Sequence, residues 1–396
     1  MSDSDSQDPT RKTPSTQLQG VNQLIVDAIV NMTSIVESMH HRISPVSTIT
    51  RSASEERARG VSGLVYKGIR SLTEQVGKGL DVPLGIIGKS MNGLASSSKR
   101  EALVSALNGV LGDHLVKREN PLAIPMTLRQ GGKVIDDFTS LAEAVQRAHG
   151  RLVILAHGLC MNDLQWQREG HNHGAAITTD LGYPAIYLHY NSGQHISENG
   201  IEFSHILEAL LSQIKSHIDH SNLQISIVAH SMGGLVTRSA FEQAKSLSHQ
   251  WPKHLKDIIF LGTPHHGAPL EKAGGWIDML LGIHSYTSPL TKLTNVRSAG
   301  INDLRHGYIV KSDWQARGRF DFAVDKRVPL SLPEGVNCYT IGTTSTTGGN
   351  KLSEKLVGDG LVPLDSALGK HSDGRFTLHF PKGHSWIGRD INHMQL

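Results

Sequence analysis

Leu223-Gln224-Ile225-Ser226-Ile227-Val228-Ala229-His230-Ser231-Met232-Gly233-Gly234-Leu235-Val236 changes periodicity at a single serine. Its first half is a short apolar run rich in β-branched residues, the pattern of a buried strand. After the small residues it continues as Leu235-Val236-Thr237-Arg238-Ser239-Ala240-Phe241, with helical spacing. A serine on such a strand-to-helix turn is held in a strained backbone, with its hydroxyl raised above the sheet. The position also faces the positive end of the following helix, which favours developing negative charge. Ser231 is therefore a candidate nucleophile. The first small residue is Ala229 where the G-x-S-x-G pattern has glycine, a mild departure because alanine still lets strand and helix pass closely.

Outward from this turn, strand and helix patterns alternate. Met126–Ile135, with Gly131-Gly132, has the period of a β-hairpin, and Leu141 to Ala148 that of a short helix. Strands are expected at Leu152–Leu155, Ala185–Leu188, Ile225–Val228, Ile258–Leu261, Cys338–Ile341 and Phe376–Phe380, with a helix over Ile201–Ile218. Such alternation implies an α/β fold, a mostly parallel sheet with helices on both faces. Its site lies beyond the carboxyl ends of the strands.

The polar residues just past those ends form a consistent set. Ala156-His157-Gly158-Leu159 follows one strand, and the N–H groups of Leu159 and of Met232 are the expected oxyanion donors. Gly358-Asp359-Gly360 lies past another strand, where a carboxylate can reach an imidazole N–H and fix its tautomer. Asp359 is the expected acid, with Asp365 as the second choice. The base should follow in the order Ser, Asp, His. His371, His379, His384 and His393 are available, and His379 is disfavoured within an expected strand. His265 and His266 are expected to be ordinary polar loop residues. His171-Asn172-His173 has metal-like spacing but no further placed ligand, so neither metal nor cofactor is expected.

From about residue 126 onward these motifs resemble the α/β-hydrolase superfamily. More narrowly, they resemble bacterial lipases and the GPI inositol-deacylase-like group of serine esterases. The residues that carry the resemblance are Val153–Leu159, Ala229–Gly234, Gly262-Thr263-Pro264-His265-His266-Gly267 and Asp359-Gly360-Leu361-Val362-Pro363. In those lipases the base sits in an Asn-His-Leu-Asp-like motif, which Asn392-His393-Met394-Gln395 matches better than Gly383-His384-Ser385. The resemblance implies Ser231 as nucleophile, Asp359 as acid and His393 as base, with His384 as the alternative. Family members usually continue past this histidine into a closing helix, whereas this sequence has three more residues, to Leu396.

The chain has 396 residues, room for one large α/β domain plus an extension, or for two domains. Its net charge of +3 gives no nucleic-acid footprint. Two cysteines make no disulfide framework, and no apolar run reaches the roughly 18 residues of a membrane span. No secretory signal pattern is present, so a cytoplasmic setting is the expectation. Residues 1–19 have the composition of a disordered tail. Residues 20–120 carry three helical patterns, over Val21–Ile43, Val61–Leu80 and Leu103–Leu115. They suit either a helical cap or oligomerisation arm, or attachment at the periphery of a lipid surface. Residues 121–396 are the expected hydrolase domain, with a lid-like insertion at about 267–330 that contains the apolar cluster Trp276–Ile283. The expected activity is a serine hydrolase of carboxylic esters with hydrophobic acyl groups. The rivals are an acyltransferase or polyester depolymerase on the same triad, and a non-catalytic lipid-surface scaffold.

Overall fold

A computed structural model describes residues 97–215, 217, 222–268, 298–315, 325–344 and 358–396. The tail, the first two helical patterns and the Trp276–Ile283 cluster lie outside the described residues. The elements run α1 (Ser97–Lys117), β1 (Thr127–Gln130), β2 (Lys133–Val134), α2 (Phe138–Arg147), β3 (Arg151–Ala156), β4 (Gln167–Arg168), β5 (His171–Asn172), α3 (His173–Leu181), β6 (Ala185–His189) and α4 (Ile196–Lys215). They continue with β7 (Gln224–His230), α5 (Met232–Leu247), β8 (Leu255–Leu261), α6 (Ala299–His306), α7 (Lys311–Gln315), β9 (Asn337–Thr344), α8 (Leu364–Ala367) and β10 (Ser385–Arg389).

Eight strands form the main sheet in the order β2-β1-β6-β3-β7-β8-β9-β10. From β6 to β10 every pairing is parallel, and β1 joins antiparallel to β6 and to β2. Successive strand side chains point to opposite faces, so each central strand feeds two cores. Leu152, Ile154 and Ala156 of β3 join one cluster with Ile225, Ile227 and Ala229 of β7, against α1, α4 and α5. Val153 and Leu155 join the other with Val228, Leu261 and Trp166. Burial on both faces explains why these strands are continuous apolar runs rather than alternating ones. The order, the handed alternation and the central serine turn are those of the α/β-hydrolase fold.

Local signals place the helices. Asp137 accepts the Ser140 N–H at 3.0 Å and caps α2, whose Leu141, Ala142 and Val145 recur on one buried face. The first and second glycines of Gly131-Gly132 have φ of +58° and +78°, so the β1–β2 hairpin forms where the sequence puts it.

The structure departs from two expectations about the last strand. Phe376–Phe380 is not a strand: Phe376 and Leu378 are buried, but the Leu378 N–H bonds the Gly369 carbonyl rather than a neighbouring strand. An extended segment that packs alternate side chains imitates strand periodicity without a ladder. The last strand is β10, whose Trp386 and Ile387 are exposed at the sheet edge and so give no alternation. The third helical pattern forms α1, whose Leu103, Ala106, Leu107, Val110 and Leu115 are buried in the main core, as a helical cap would be. Its Gly109 lies against Cys160, and a methyl group there would come within 2.9 Å of the Cys160 Cα. No helix among the described residues is long and apolar enough to cross a membrane.

Candidate active site

Ser231 follows the last residue of β7 and directly precedes α5. Its φ of +53° and ψ of −121° lie outside the regions open to an ordinary side chain, a strained conformation that marks functional sites. Three contacts impose it. The Ser231 N–H donates to the Leu261 carbonyl at 2.8 Å, and its own carbonyl accepts from Gly234 at 3.1 Å. Gly233 passes so close to β3 that a Cβ there would lie 2.5 Å from the Ala156 carbonyl oxygen and 2.7 Å from that of His157. These are backbone atoms and cannot swing aside. Gly233→Ala is expected to lower stability by about 1–3 kcal/mol, read as a fall in the urea midpoint with an unchanged m-value.

The loop after β3 reaches the serine from the other side. A methyl group on Gly158 would sit 3.1 Å from the Ser231 Cβ. His157 is fully buried and stacked on Tyr190 at 4.3 Å, and burial pushes its pKa down to about 4, so the ring is neutral. Its Nδ1–H then donates to the Gly158 carbonyl at 2.8 Å, while Nε2 accepts the Tyr190 N–H at 3.4 Å. The Tyr190 hydroxyl donates to the His157 carbonyl at 2.8 Å. With the Gly158 carbonyl turned to the His157 ring, the Leu159 N–H on the far side of the same planar peptide points away from that ring. Met232 is the first residue of α5, where a backbone N–H has no intrahelical acceptor.

Asp359 and His393 meet beyond the carboxyl ends of β9 and β10. Asp359 Oδ2 accepts the His393 Nδ1–H at 2.8 Å, and both side chains are buried. Asp359 Oδ1 accepts the N–H groups of Leu361 at 3.0 Å and Val362 at 2.8 Å, and the Thr343 hydroxyl donates to Oδ2 at 3.3 Å. Burial alone would raise this carboxyl, but the neighbouring imidazole, its hydrogen bond and the two amides outweigh it, and the pKa lies below the usual value. His393 begins a short turn capped by Asn392, which accepts the Met394 N–H at 3.0 Å. A Cβ on Gly262 would lie 2.9 Å from His393 Cε1. Gly262 follows Leu261, whose carbonyl holds the Ser231 N–H, so the imidazole stands beside the serine turn.

The other candidate acids and bases lie elsewhere. His384 precedes β10 instead of following the last strand. Its ring stacks on Tyr339 at 4.2 Å and its Nδ1 meets the Cys338 carbonyl at 3.1 Å, at the start of β9 and so at the end of the sheet remote from Ser231. Asp365 is in the first turn of α8, His371 Nδ1 accepts the Asp373 backbone N–H at 3.1 Å, and His379 is exposed. His265 is not a loop-surface residue: it is 1% exposed, edge-on to Phe260 at 4.8 Å and 3.5 Å from the buried Arg238 guanidinium. His171 and His173 face each other at 4.8 Å, and no group of three metal-ligating side chains occurs among the described residues.

Two site residues gave no sequence signal. Trp166 lies edge-on to both His173 and His230, at 5.4 and 6.3 Å. His230 is buried beside Ser231, with its Nε2 3.0 Å from the His393 carbonyl oxygen. His230 and His393 are 163 positions apart, so only the folded chain reveals the contact.

A family model described as a PGAP1-like alpha/beta domain matches residues 147–331. No curated protein matches the chain in sequence. Among solved structures it is similar to the mature lipase BlEst2 of Bacillus licheniformis, at 17% identity and a TM-score of 0.40 over 68% of this chain and 91% of that one. It is also similar to lipase B of Aspergillus fumigatus, at 13% identity and a TM-score of 0.35, covering 69% of this chain and 53% of that one. Phospholipase PlaB of Legionella pneumophila is a further match, at 14% identity and a TM-score of 0.35, covering 55% of this chain and 45% of that one. Residues 147–331 are thus similar to the PGAP1-like domain, and the strand order with a strained serine turn at its centre makes this chain an α/β-hydrolase in fold.

Proposed function

We propose that the chain is a serine hydrolase of carboxylic esters, with Ser231 as nucleophile, His393 as general base and Asp359 as the acid that orients it. The buried Asp359–His393 hydrogen bond beside the strained Ser231 turn carries this reading. With Nδ1 donating to Asp359, the neutral imidazole presents Nε2 as its proton acceptor. Ser231 Oγ attacks the acyl carbon as its proton passes to Nε2. The carbonyl oxygen gains the negative charge, and the N–H groups of Leu159 and Met232 receive it. The imidazolium returns the proton to the leaving alcohol, and the acyl-enzyme forms. Water, deprotonated by the same nitrogen, attacks the acyl carbon; the imidazolium then returns that proton to Ser231 Oγ as the ester bond to the serine breaks and the acid leaves. Asp359 keeps the imidazole in the productive tautomer and stabilises its charged form.

Apolar side chains close to the serine favour a hydrophobic acyl group. Met161 Sδ lies 3.5 Å from where a methyl group on Gly158 would sit, the same point that is 3.1 Å from Ser231 Cβ, and buried Trp166 lies edge-on to His230 next to the serine. A fluorophosphonate probe is expected to label the wild-type chain at one site and to leave Ser231→Ala unlabelled. An unlabelled wild type would remove the enzymatic reading. A series of p-nitrophenyl esters of increasing acyl length is expected to show kcat/KM rising beyond acetate.

A further inference from the structure

The proposed base lies in residues 390–396, at the start of a short turn, His393–Gln395. A backbone bond ties the beginning of this segment to the sheet, from the Asp390 N–H to the Thr344 carbonyl at 3.0 Å. Beyond it, the Asp359 carboxylate holds one ring nitrogen of His393. A single hydrogen bond to a ring atom is a pivot: it fixes a distance and leaves the ring free to swing about it. Catalysis needs Nε2 within reach of the serine hydroxyl, so a second anchor must stop the swing.

His230 occupies that place. It is 4% exposed, its ring lies 4.8 Å from the His393 ring, and its Nε2 is 3.0 Å from the His393 carbonyl oxygen. A carbonyl only accepts, so Nε2 must carry the hydrogen. Burial, with the His393 imidazole nearby, pushes the His230 pKa down to about 3, so the ring holds this single tautomer across the neutral range. The other ring nitrogen, Nδ1, is buried and unbonded among the described residues, 3.1 Å from where a methyl group on Gly158 would lie. An orphaned buried acceptor is unfavourable, which argues that the Nε2 contact is the reason a histidine stands here. Leu396 packs against the same small cluster as Trp166 and Leu261.

We propose that His230 is a positioning residue for the base, its Nε2–H hooking the His393 carbonyl so that nucleophile and base are registered by adjacent residues of one strand end. The hook and Ser231 are consecutive in sequence, so any shift of the strand moves both partners of the proton transfer together. The inference rests on the assignment of Ser231, His393 and Asp359 above.

His230→Phe keeps the ring volume and removes the donor, whereas His230→Gln places an amide N–H near the position of Nε2. The phenylalanine variant is expected to lower kcat on p-nitrophenyl butyrate about 10²-fold with little change in KM, the size of loss that an ångström of misplacement brings. The glutamine variant is expected to recover at least about a tenth of the wild-type rate. A second readout needs no turnover: hydrogen–deuterium exchange of residues 390–396, measured in a Ser231→Ala background. Exchange is expected to quicken with phenylalanine and to slow again with glutamine. Wild-type exchange and kcat in His230→Phe would overturn the hook, as would glutamine and phenylalanine variants impaired alike in both readouts. A wild type that turns over no ester would overturn the triad assignment instead, and the exchange measurement would still decide whether His230 holds residues 390–396.

Discussion

Alanine at Ser231 and alanine at His393 are expected to bring kcat to the same floor, and the double variant is expected to fall no further. In the proposed triad nucleophile and base form one unit: without the imidazole the serine keeps its proton, and without the serine the imidazole has nothing to deprotonate. In a serine protease with this chemistry each such loss is about 10⁶-fold, and the losses do not add. Additive losses would mean that the two residues serve different steps. His384→Ala is the matched control. It alters a histidine stacked on Tyr339 at the far end of the sheet, and near-wild-type kcat is expected. Steady-state kinetics of the four variants on one p-nitrophenyl ester decides the matter. Loss of turnover in His384→Ala alone would reassign the base.

Asp359→Asn is expected to lower kcat by about 10⁴-fold while leaving the fold intact. Asparagine can still accept the Leu361 and Val362 amides at its carbonyl oxygen, so the loop keeps its shape. The atom facing His393 Nδ1 then becomes an NH₂ donor, and two donors cannot share a hydrogen bond. The imidazole must put its hydrogen on Nε2, the nitrogen that has to accept from the serine. The same variant reports on stability. A carboxyl whose folded pKa lies below its unfolded value, as for Asp359, stabilises the native state above the ordinary carboxylate pKa of about 3.9. That stabilisation is lost as pH falls through the lower, folded value. The stability gap between wild type and Asp359→Asn, from urea titrations at successive pH, is therefore expected to be largest near neutrality and to close on acidification. A gap that widens toward low pH would contradict the observed environment of Asp359.

The parts of this molecule that were legible in the sequence are those that local chemistry dictates. Ile225–Val228 is apolar because both faces of its strand are buried, and small residues must follow because α5 leaves the sheet past the β3 backbone. Asp359 stands between glycines past a strand, and His393 follows an asparagine that caps its turn. The histidine was the ambiguous corner because position relative to the last strand decides it, and the last strand was misplaced. Phe376–Phe380 has the alternation without the ladder, while Ser385–Arg389 has the ladder without the alternation. Once β10 is located, His384 falls before it and His393 after it. His230 was silent for a different reason. A histidine beside a serine says nothing until residues 390–396 fold back over it.

The close seat of α1 on Cys160 bears on what can be moved as a unit. Were the polypeptide divided at residue 120, the fragment beginning there would lose the layer supplied by Leu103, Leu107 and Val110 and would show their partners to water. A recombination that moves the sheet and its serine turn into another protein would therefore have to carry the α1 helix along as part of the cargo.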